Sequence, residues 1–315
     1  NWKFKLNDTL IVGWQVKLDD SHWRKLDLPH DWSIESDFLE KAPATPGGGA
    51  LPGGLGWYRK SFTLDKNFKN KKIFVEFDGV YRNSEVWING QLLGKRPNGY
   101  ISFRYDITPF VKIGEANLMA VRVDNAQQPN SRWYSGSGIY RNVRLVITQP
   151  VYVEQWGTYV TTPVVTSDSA KVAIQTTIKN EKNIQRAVKV EQSLFDVAGS
   201  LVAKTDANLI LPSGASNQLL QDMVVPKPVL WSIENPYLYK IITKIYVQGI
   251  LNDEYQTNVG IRTFKFDVEK GFFLNGKSVK INGVCNHHDL GALGAAVNVR
   301  AIERQLEIMK AMGVN

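Results

Sequence analysis

The strongest constraint on the fold is an alternation of apolar and polar side chains that recurs in short segments. Met119, Val121 and Val123 are spaced two residues apart, and the turn-forming pair Asp124-Asn125 follows them. Successive side chains of a β-strand point to opposite faces, so this period predicts strands with one face in a core. The same spacing occurs at Ile73, Val75 and Phe77, at Val86 and Ile88, at Val172, Ile174, Thr176 and Ile178, and at Tyr239, Ile241, Thr243, Ile245 and Val247. The chain is therefore predicted to be mainly β.

Turn residues divide these strands into two blocks. Asn89-Gly90 predicts a hairpin because both residues tolerate a positive φ angle, and Pro150 ends the first block. The later strands recur at the spacing typical of a sandwich. A length of 315 residues favours more than one domain. We predict a β domain over residues 1–150 and an immunoglobulin-like β-sandwich over residues 151–264.

Residues 42–56 contain three prolines and six glycines. This composition is unfavourable for a helix and for a central strand. We predict a long surface loop, which is a common place for functional residues on a β scaffold.

The last segment, residues 265–315, has a different pattern. Asn275-Gly276 predicts another hairpin, and a strand is predicted beyond it at Val279, Ile281 and Val284. Apolar residues then recur at helical spacing, and a glycine follows them as the predicted C-terminal cap: Ile302, Leu306, Met309, Met312 and Gly313. A single β/α unit cannot bury its own apolar faces, so this segment is predicted to be the beginning of a larger domain.

Composition argues against several function classes. The net charge is +8, but the basic residues are scattered and no five-residue basic block occurs, so no nucleic-acid partner is predicted. The single cysteine, Cys285, excludes an internal disulfide. No run of 18 apolar residues predicts a membrane span. The missing initiator methionine favours a processed periplasmic or secreted protein over a cytoplasmic one, and localisation otherwise stays open.

Several motifs occur in the order in which glycoside hydrolase family 2, the β-galactosidase and β-glucuronidase family, carries them. They are Leu28-Pro29-His30-Asp31-Trp32, Gly56-Trp57-Tyr58-Arg59, Val86-Trp87-Ile88-Asn89-Gly90, Ser135-Gly136-Ser137-Gly138-Ile139-Tyr140-Arg141, Asn235-Pro236-Tyr237-Leu238-Tyr239 and Gly283-Val284-Cys285-Asn286-His287-His288-Asp289. The chain resembles the N-terminal portion of that family. The resemblance implies a jelly-roll sugar-binding domain, an immunoglobulin-like domain and the first β/α unit of a truncated TIM barrel.

The resemblance also implies a retaining glycosidase with two catalytic glutamates. Retention requires two carboxylates about 5–5.5 Å apart, one as acid/base and one as nucleophile. In the family both follow the part that this chain matches, so we expect no catalytic residue here and an inactive 315-residue chain. The pair Asn180-Glu181 imitates the family's acid/base dipeptide, but its position predicts a sandwich turn.

Two segments are predicted to contact substrate. His287 matches a family histidine at the end of the first barrel strand, and His288 and Asp289 follow it directly. Adjacent side chains of an extended segment point to opposite sides, so chelation of one metal by both histidines is disfavoured. The other segment contains Arg132, Trp133 and Tyr134, and Arg132 stands where family members carry an aspartate. That change favours a different hydroxyl pattern or an acidic sugar, and an exposed loop arginine is the alternative.

We therefore predict a β-galactosidase-like hydrolase acting on a β-linked oligosaccharide or glycoside. A β-glucuronide or β-mannoside specificity remains an alternative. So does a non-catalytic carbohydrate-binding module or a β-sandwich interaction fragment. Homo-oligomerisation is left open. No cofactor is evident, although Mg²⁺ or Na⁺ occurs in some family members, and no metal ligands are predicted in this chain.

Overall fold

The computed structural model describes residues 1–6 and 12–315, and most of their regular structure is β-strand. These residues form two compact units. The first consists of Asn1–Ile147 and Val284–Gly313, and the second of Thr148–Gly283 and Val314–Asn315. The prediction of a mainly β chain is confirmed.

The first unit contains two sheets. Its strands are β1 Trp2–Leu6, β2 Arg24–Leu26, β3 Gly54–Thr63, β4 Lys72–Phe77, β5 Ser84–Ile88, β6 Gln91–Arg96, β7 Phe103–Asp106, β8 Ala116–Asn125 and β9 Val143–Thr148. One sheet has the order β2-β1-β3-β8-β5-β6, and the other has the order β7-β4-β9. Short 3₁₀ helices lie at Ser33–Glu35, Pro46–Gly48, Lys66–Phe68 and Gly291–Leu293.

Alternating side chains from the two sheets form the core of this sandwich. Val86, Ile88 and Val121 come from the larger sheet, and Ile73 and Phe77 come from the smaller one. All five are at most 1% exposed. Apolar area removed from water contributes roughly 25 cal/mol per Å², so this face supplies the main stabilisation of the unit.

The prediction of a surface loop over residues 42–56 is partly wrong. Residues Gly54 to Gly56 belong to β3, which lies between β1 and β8 in the centre of its sheet. The glycine is needed there because a Cβ on Gly56 would lie 2.7 Å from Trp32 Cζ3 and 2.9 Å from Phe4 Cε2. The two rings take the space that a side chain would occupy. A glycine in a central strand here marks close packing rather than a turn.

The second unit contains a seven-stranded sandwich. Its strands are β10 Val151–Val165, β11 Ser169–Asn180, β12 Arg186–Phe195, β13 Leu201–Leu211, β14 Ser216–Pro226, β15 Tyr239–Val247 and β16 Ile250–Val259. The sheets have the orders β10-β11-β14 and β13-β12-β15-β16, and all neighbouring strands are antiparallel.

Inside this sandwich, the Gln192 side chain donates to Thr176 (2.9 Å) and accepts from Thr243 (2.6 Å). This fully buried amide is therefore satisfied across the two sheets.

The hairpin predicted at Asn275-Gly276 is confirmed. Strands β17 Phe264–Asp267, β18 Gly271–Leu274 and β19 Lys277–Ser278 form a small sheet, and both turn residues have positive φ angles, 49° and 76°.

The strand predicted at Val279, Ile281 and Val284 is absent from the described residues, since no residue from Val279 to Val284 belongs to a strand. The backbone hydrogen bonds of this stretch are isolated ones, from the Val279 N–H to the Phe272 carbonyl oxygen (2.9 Å) and from the Asn315 N–H to the Asn282 carbonyl oxygen (3.2 Å), whereas a strand needs a continuous ladder. The predicted helix is confirmed as α1, Val299–Ala311, with Asn298 as N-cap and Gly313 at φ 94° just past its end. No helix among the residues described has the length and apolar character needed to cross a membrane.

Gly56→Ala tests the close packing in β3. The added methyl group must displace Trp32 or Phe4, so we expect a loss of about 1–3 kcal/mol in the free energy of unfolding. Gly47→Ala is the control, because its Cβ would meet nothing closer than 3.8 Å, and its effect should stay within about 0.5 kcal/mol. Urea unfolding followed by tryptophan fluorescence measures both, and equal midpoints would refute this account.

Candidate functional site

An aromatic cluster in the first unit brings the two predicted substrate-binding segments together. Trp133 donates its indole N–H to the Tyr100 hydroxyl (2.9 Å). The Tyr100 ring makes an edge contact with His288, at 5.6 Å between centroids, and Tyr140 contacts the same imidazole at 6.1 Å. The 132–134 segment and the 287–289 segment thus share neighbours.

The cluster has a buried base and an exposed edge. Tyr81 and Tyr140 are 4% and 1% exposed, whereas Tyr100 and Trp133 are 36% and 42% exposed. The Tyr140 hydroxyl donates to the Gly99 carbonyl oxygen (2.9 Å), which fixes the loop that carries Tyr100. Burial raises the pKa of Tyr100 to about 12, so its hydroxyl is protonated at neutral pH. Exposed rings with polar edges of this kind can stack on a sugar ring and hydrogen-bond its hydroxyls.

A buried carboxylate, Asp31, lies beside this cluster. Its Oδ1 accepts hydrogen bonds from the backbone N–H groups of Ser33 (3.0 Å) and Ser137 (2.9 Å). Its Oδ2 accepts from the Tyr134 hydroxyl and from the backbone N–H of Ala295 (2.9 Å). Asp31 is 2% exposed, and all four donors are neutral.

Tyr134 is a donor rather than an acid at this position. Burial raises its pKa well above the usual range, and the charges of Asp31 and Asp289 raise it further. Its hydroxyl therefore keeps its proton and holds it toward Asp31.

The predicted site residues differ in exposure. His287, Arg132 and Trp133 are exposed, and His288, Asp289 and Tyr134 are half-buried. The Nε2 atom of His288 is enclosed and bonds to no described residue. His287 makes none of the ring contacts that His288 makes. An exposed imidazole can present its ring nitrogens to a ligand, whereas His288 packs against aromatic rings.

Sequence reasoning missed Tyr81, Tyr100, Tyr140 and Asp31 as parts of this neighbourhood. Tyr140 and Asp31 lie within motifs that carried the family resemblance, but nothing in their spacing indicated a shared site. Tyr81 and Tyr100 had no signal beyond being aromatic.

The described part of the chain holds no group of three or more His, Cys, Asp or Glu side chains that could bind a metal ion. No step is assigned to Mg²⁺ or Na⁺.

Two adjacent regions of the chain match models of known protein families. The family model described as glycosyl hydrolases family 2, sugar binding domain, matches residues 48–150. The model described as glycosyl hydrolases family 2 matches residues 151–262. The chain belongs to glycosyl hydrolases family 2.

Relatives in family 2 are named for more than one activity. The chain is 55% identical over 315 residues to a beta-galactosidase of Bacteroides ovatus, covering 100% of this chain and 37% of that protein. It is 31% identical over 326 residues to a beta-glucuronidase of Bacteroides fragilis, covering 100% of this chain and 44% of that protein. The chain thus spans less than half the length of these curated relatives.

A solved structure agrees with this family assignment. The chain is similar to the crystal structure of a glycosyl hydrolase family 2 member from Bacteroides cellulosilyticus, with a TM-score of 0.97 and 42% sequence identity. The match covers 100% of this chain and 41% of that one.

Protonation of His30 should lower the free energy of unfolding of this family 2 chain in mild acid. Its ring bonds to the Tyr58 hydroxyl (2.7 Å) and lies 3.1 Å from Glu35 Oε1. Burial lowers the pKa of His30 below 6.5, and this outweighs the opposing effect of Glu35. Below pH 6.5 the unfolded chain takes up the proton first, so stability is fully present above that pH. It falls as the pH drops toward the folded-state pKa.

The slope that His30 contributes is at most about 1.4 kcal/mol per pH unit. Urea unfolding between pH 7 and pH 5 measures it, and His30→Gln should make the slope shallower while lowering stability at pH 7. An unchanged slope in His30→Gln would contradict this assignment.

Proposed function

We propose that the protein carrying this chain is a retaining β-glycosidase that acts on β-galactosides, and that this chain shapes part of its substrate site. The observation that carries the proposal is that Trp133 and His288 both contact Tyr100, so the 132–134 and 287–289 segments meet there, beside the bond from Tyr134 to Asp31. Aromatic faces, a protonated tyrosine and an exposed histidine are suited to binding a neutral sugar. The similarity to a beta-galactosidase of Bacteroides ovatus supports the choice of sugar.

The two carboxylates of the reaction are proposed to come from outside these 315 residues. Two carboxylates of the described residues act on Tyr134: Asp31 accepts its hydroxyl hydrogen bond, and the charge of Asp289 raises its pKa. Asp31 is buried and engaged by four donors, so it cannot attack an anomeric carbon. A single remaining carboxylate cannot serve as both acid and nucleophile in a double displacement.

His287 is proposed to bind a sugar hydroxyl more strongly in the transition state than in the ground state. Such an interaction increases kcat rather than only lowering KM. The exposure of His287 supports this role, and the enclosure of His288 gives that residue a packing role against Tyr100 and Tyr140.

A β-glucuronide is the second candidate substrate, and Arg132 is the observation that favours it. Arg132 is exposed next to Trp133, and its guanidinium could pair with a sugar carboxylate in a bidentate manner. The similarity to a beta-glucuronidase of Bacteroides fragilis supports the same alternative.

Hydrolysis of a chromogenic β-galactoside tests the main proposal. We expect turnover by the full-length protein and none by a 315-residue chain of confirmed mass. In the full-length protein, His287→Ala should lower kcat by about 10²-fold, the typical effect of losing one donor that acts in the transition state. His22→Ala, at another exposed histidine, is the control. Turnover by the short chain would overturn the assignment of the carboxylates.

Arg132→Ala distinguishes the two sugars. If the substrate is a galactoside, kcat/KM for p-nitrophenyl β-galactoside should exceed that for the β-glucuronide, and Arg132→Ala should leave this ratio within about threefold, since no charged pair is lost. A preference for the glucuronide that falls about 10²-fold in Arg132→Ala would establish the alternative, because such a loss corresponds to a charged pair. Lys95→Ala serves as a control for general loss of positive charge.

A further inference from the structure

Asp31 is a junction between three parts of the chain that are far apart in sequence. It bonds to the adjacent turn through Ser33, to the glycine-rich segment through Ser137 and the preceding Tyr134 hydroxyl, and to Ala295, which is 264 positions away. Burying a charge is costly unless hydrogen bonds compensate it, and hydrogen bonds to an ionised acceptor are the strong kind. These four bonds therefore form a clamp, which we call the Asp31 clamp.

The backbone around the clamp is shaped to the carboxylate. A Cβ on Gly136 would lie 2.6 Å from Asp31 Oδ2, and a Cβ on Gly294 would lie 2.4 Å from the same atom. Both glycines have positive φ angles, 69° and 59°. Only glycine allows the two segments to approach Asp31 this closely in this conformation.

The clamp is connected to the predicted substrate-binding segment by a short closed loop. The Leu290 N–H donates to the Gly294 carbonyl oxygen (2.8 Å), so the residue after Asp289 is tied to the residue before Ala295. The Val297 N–H donates to the Tyr140 carbonyl oxygen (2.9 Å) and holds the other side. Fixing Ala295 therefore restricts where residues 287–289 can lie.

We propose that Asp31 is a positioning residue for the glycosidase reaction: its carboxylate holds the Tyr134 hydroxyl and the 290–297 loop so that His287 and Asp289 meet the substrate. Asp31 itself touches no substrate, because it is buried and its oxygens are occupied. This role rests on the proposed function of the protein, although the clamp itself can be tested without turnover.

Hydrogen exchange of the 315-residue chain tests the clamp. In Asp31→Asn, an NH₂ group faces two of the four donors whichever way the amide turns. We expect amides in peptides spanning residues 287–297 to exchange at least about tenfold faster. The control is Asp106→Asn, which removes part of a carboxylate that accepts from Thr108 N (2.9 Å) and Lys72 elsewhere in the unit. Unchanged exchange of residues 287–297 in Asp31→Asn would overturn the proposal.

A glycine pair provides a second test if Asp31→Asn fails to fold. Gly294→Ala puts a methyl group against Asp31 Oδ2, whereas Gly291→Ala, in the same loop with φ 60°, meets nothing within 4 Å. Faster exchange of residues 287–297 in Gly294→Ala and not in Gly291→Ala supports the clamp. Equal behaviour of the two variants counts against it.

Kinetics of the full-length protein test the positioning role. Asp31→Asn should lower kcat at least about tenfold with a smaller change in KM, since the binding groups remain but are misplaced. Asp106→Asn should keep kcat. If the wild type hydrolyses a β-glycoside and Asp31→Asn keeps its kcat, the positioning role is wrong. If the wild type hydrolyses none, the proposed function fails, while the exchange measurements still decide the clamp.

Discussion

A buried carboxylate surrounded by neutral donors imposes strict demands on the chain around it. Each oxygen of Asp31 needs hydrogen bonds in place of the water it has lost, and distant segments supply them. Losing one donor would leave a charge only partly compensated, so these segments are held together. The glycines at 136 and 294 follow from that demand, because no side chain fits between the backbone and the carboxylate.

The sandwich of the first unit provides the rigid support for this arrangement. Asn125 ends β8, and its side-chain amide donates to the Gly136 carbonyl oxygen (3.1 Å) and to Ser137 Oγ (2.8 Å). The glycine-rich segment is thereby attached both to the end of a central strand and to Asp31. Binding groups on loops over a packed β scaffold keep their positions while the loops remain free to vary between relatives.

The exposed and the buried residues of this site differ in their chemical character. The aromatic rings and the protonated tyrosines of this chain suit the apolar faces and hydroxyls of a sugar, and they bring little charge. Arg132 is the exception, as a cation at the exposed edge beside Trp133. In the proposed function, Arg132 acts on the choice of sugar from this edge, whereas the buried residues serve to place the binding groups.

The sequence by itself determined the class of fold, several of the strands, the Asn-Gly hairpins and the one predicted helix with its glycine cap, because these depend on local periodicity and on the φ angles of a few residues. The family motifs also predicted that the segments 132–134 and 287–289 contact substrate. Only the tertiary structure decided that Gly56 of β3 lies under Trp32 and Phe4, that Tyr100 contacts both segments, and that Asp31 joins Tyr134 to Ala295. These contacts join residues from about 25 to more than 260 positions apart, and no local pattern specifies which distant side chain will fill a space or satisfy a buried charge.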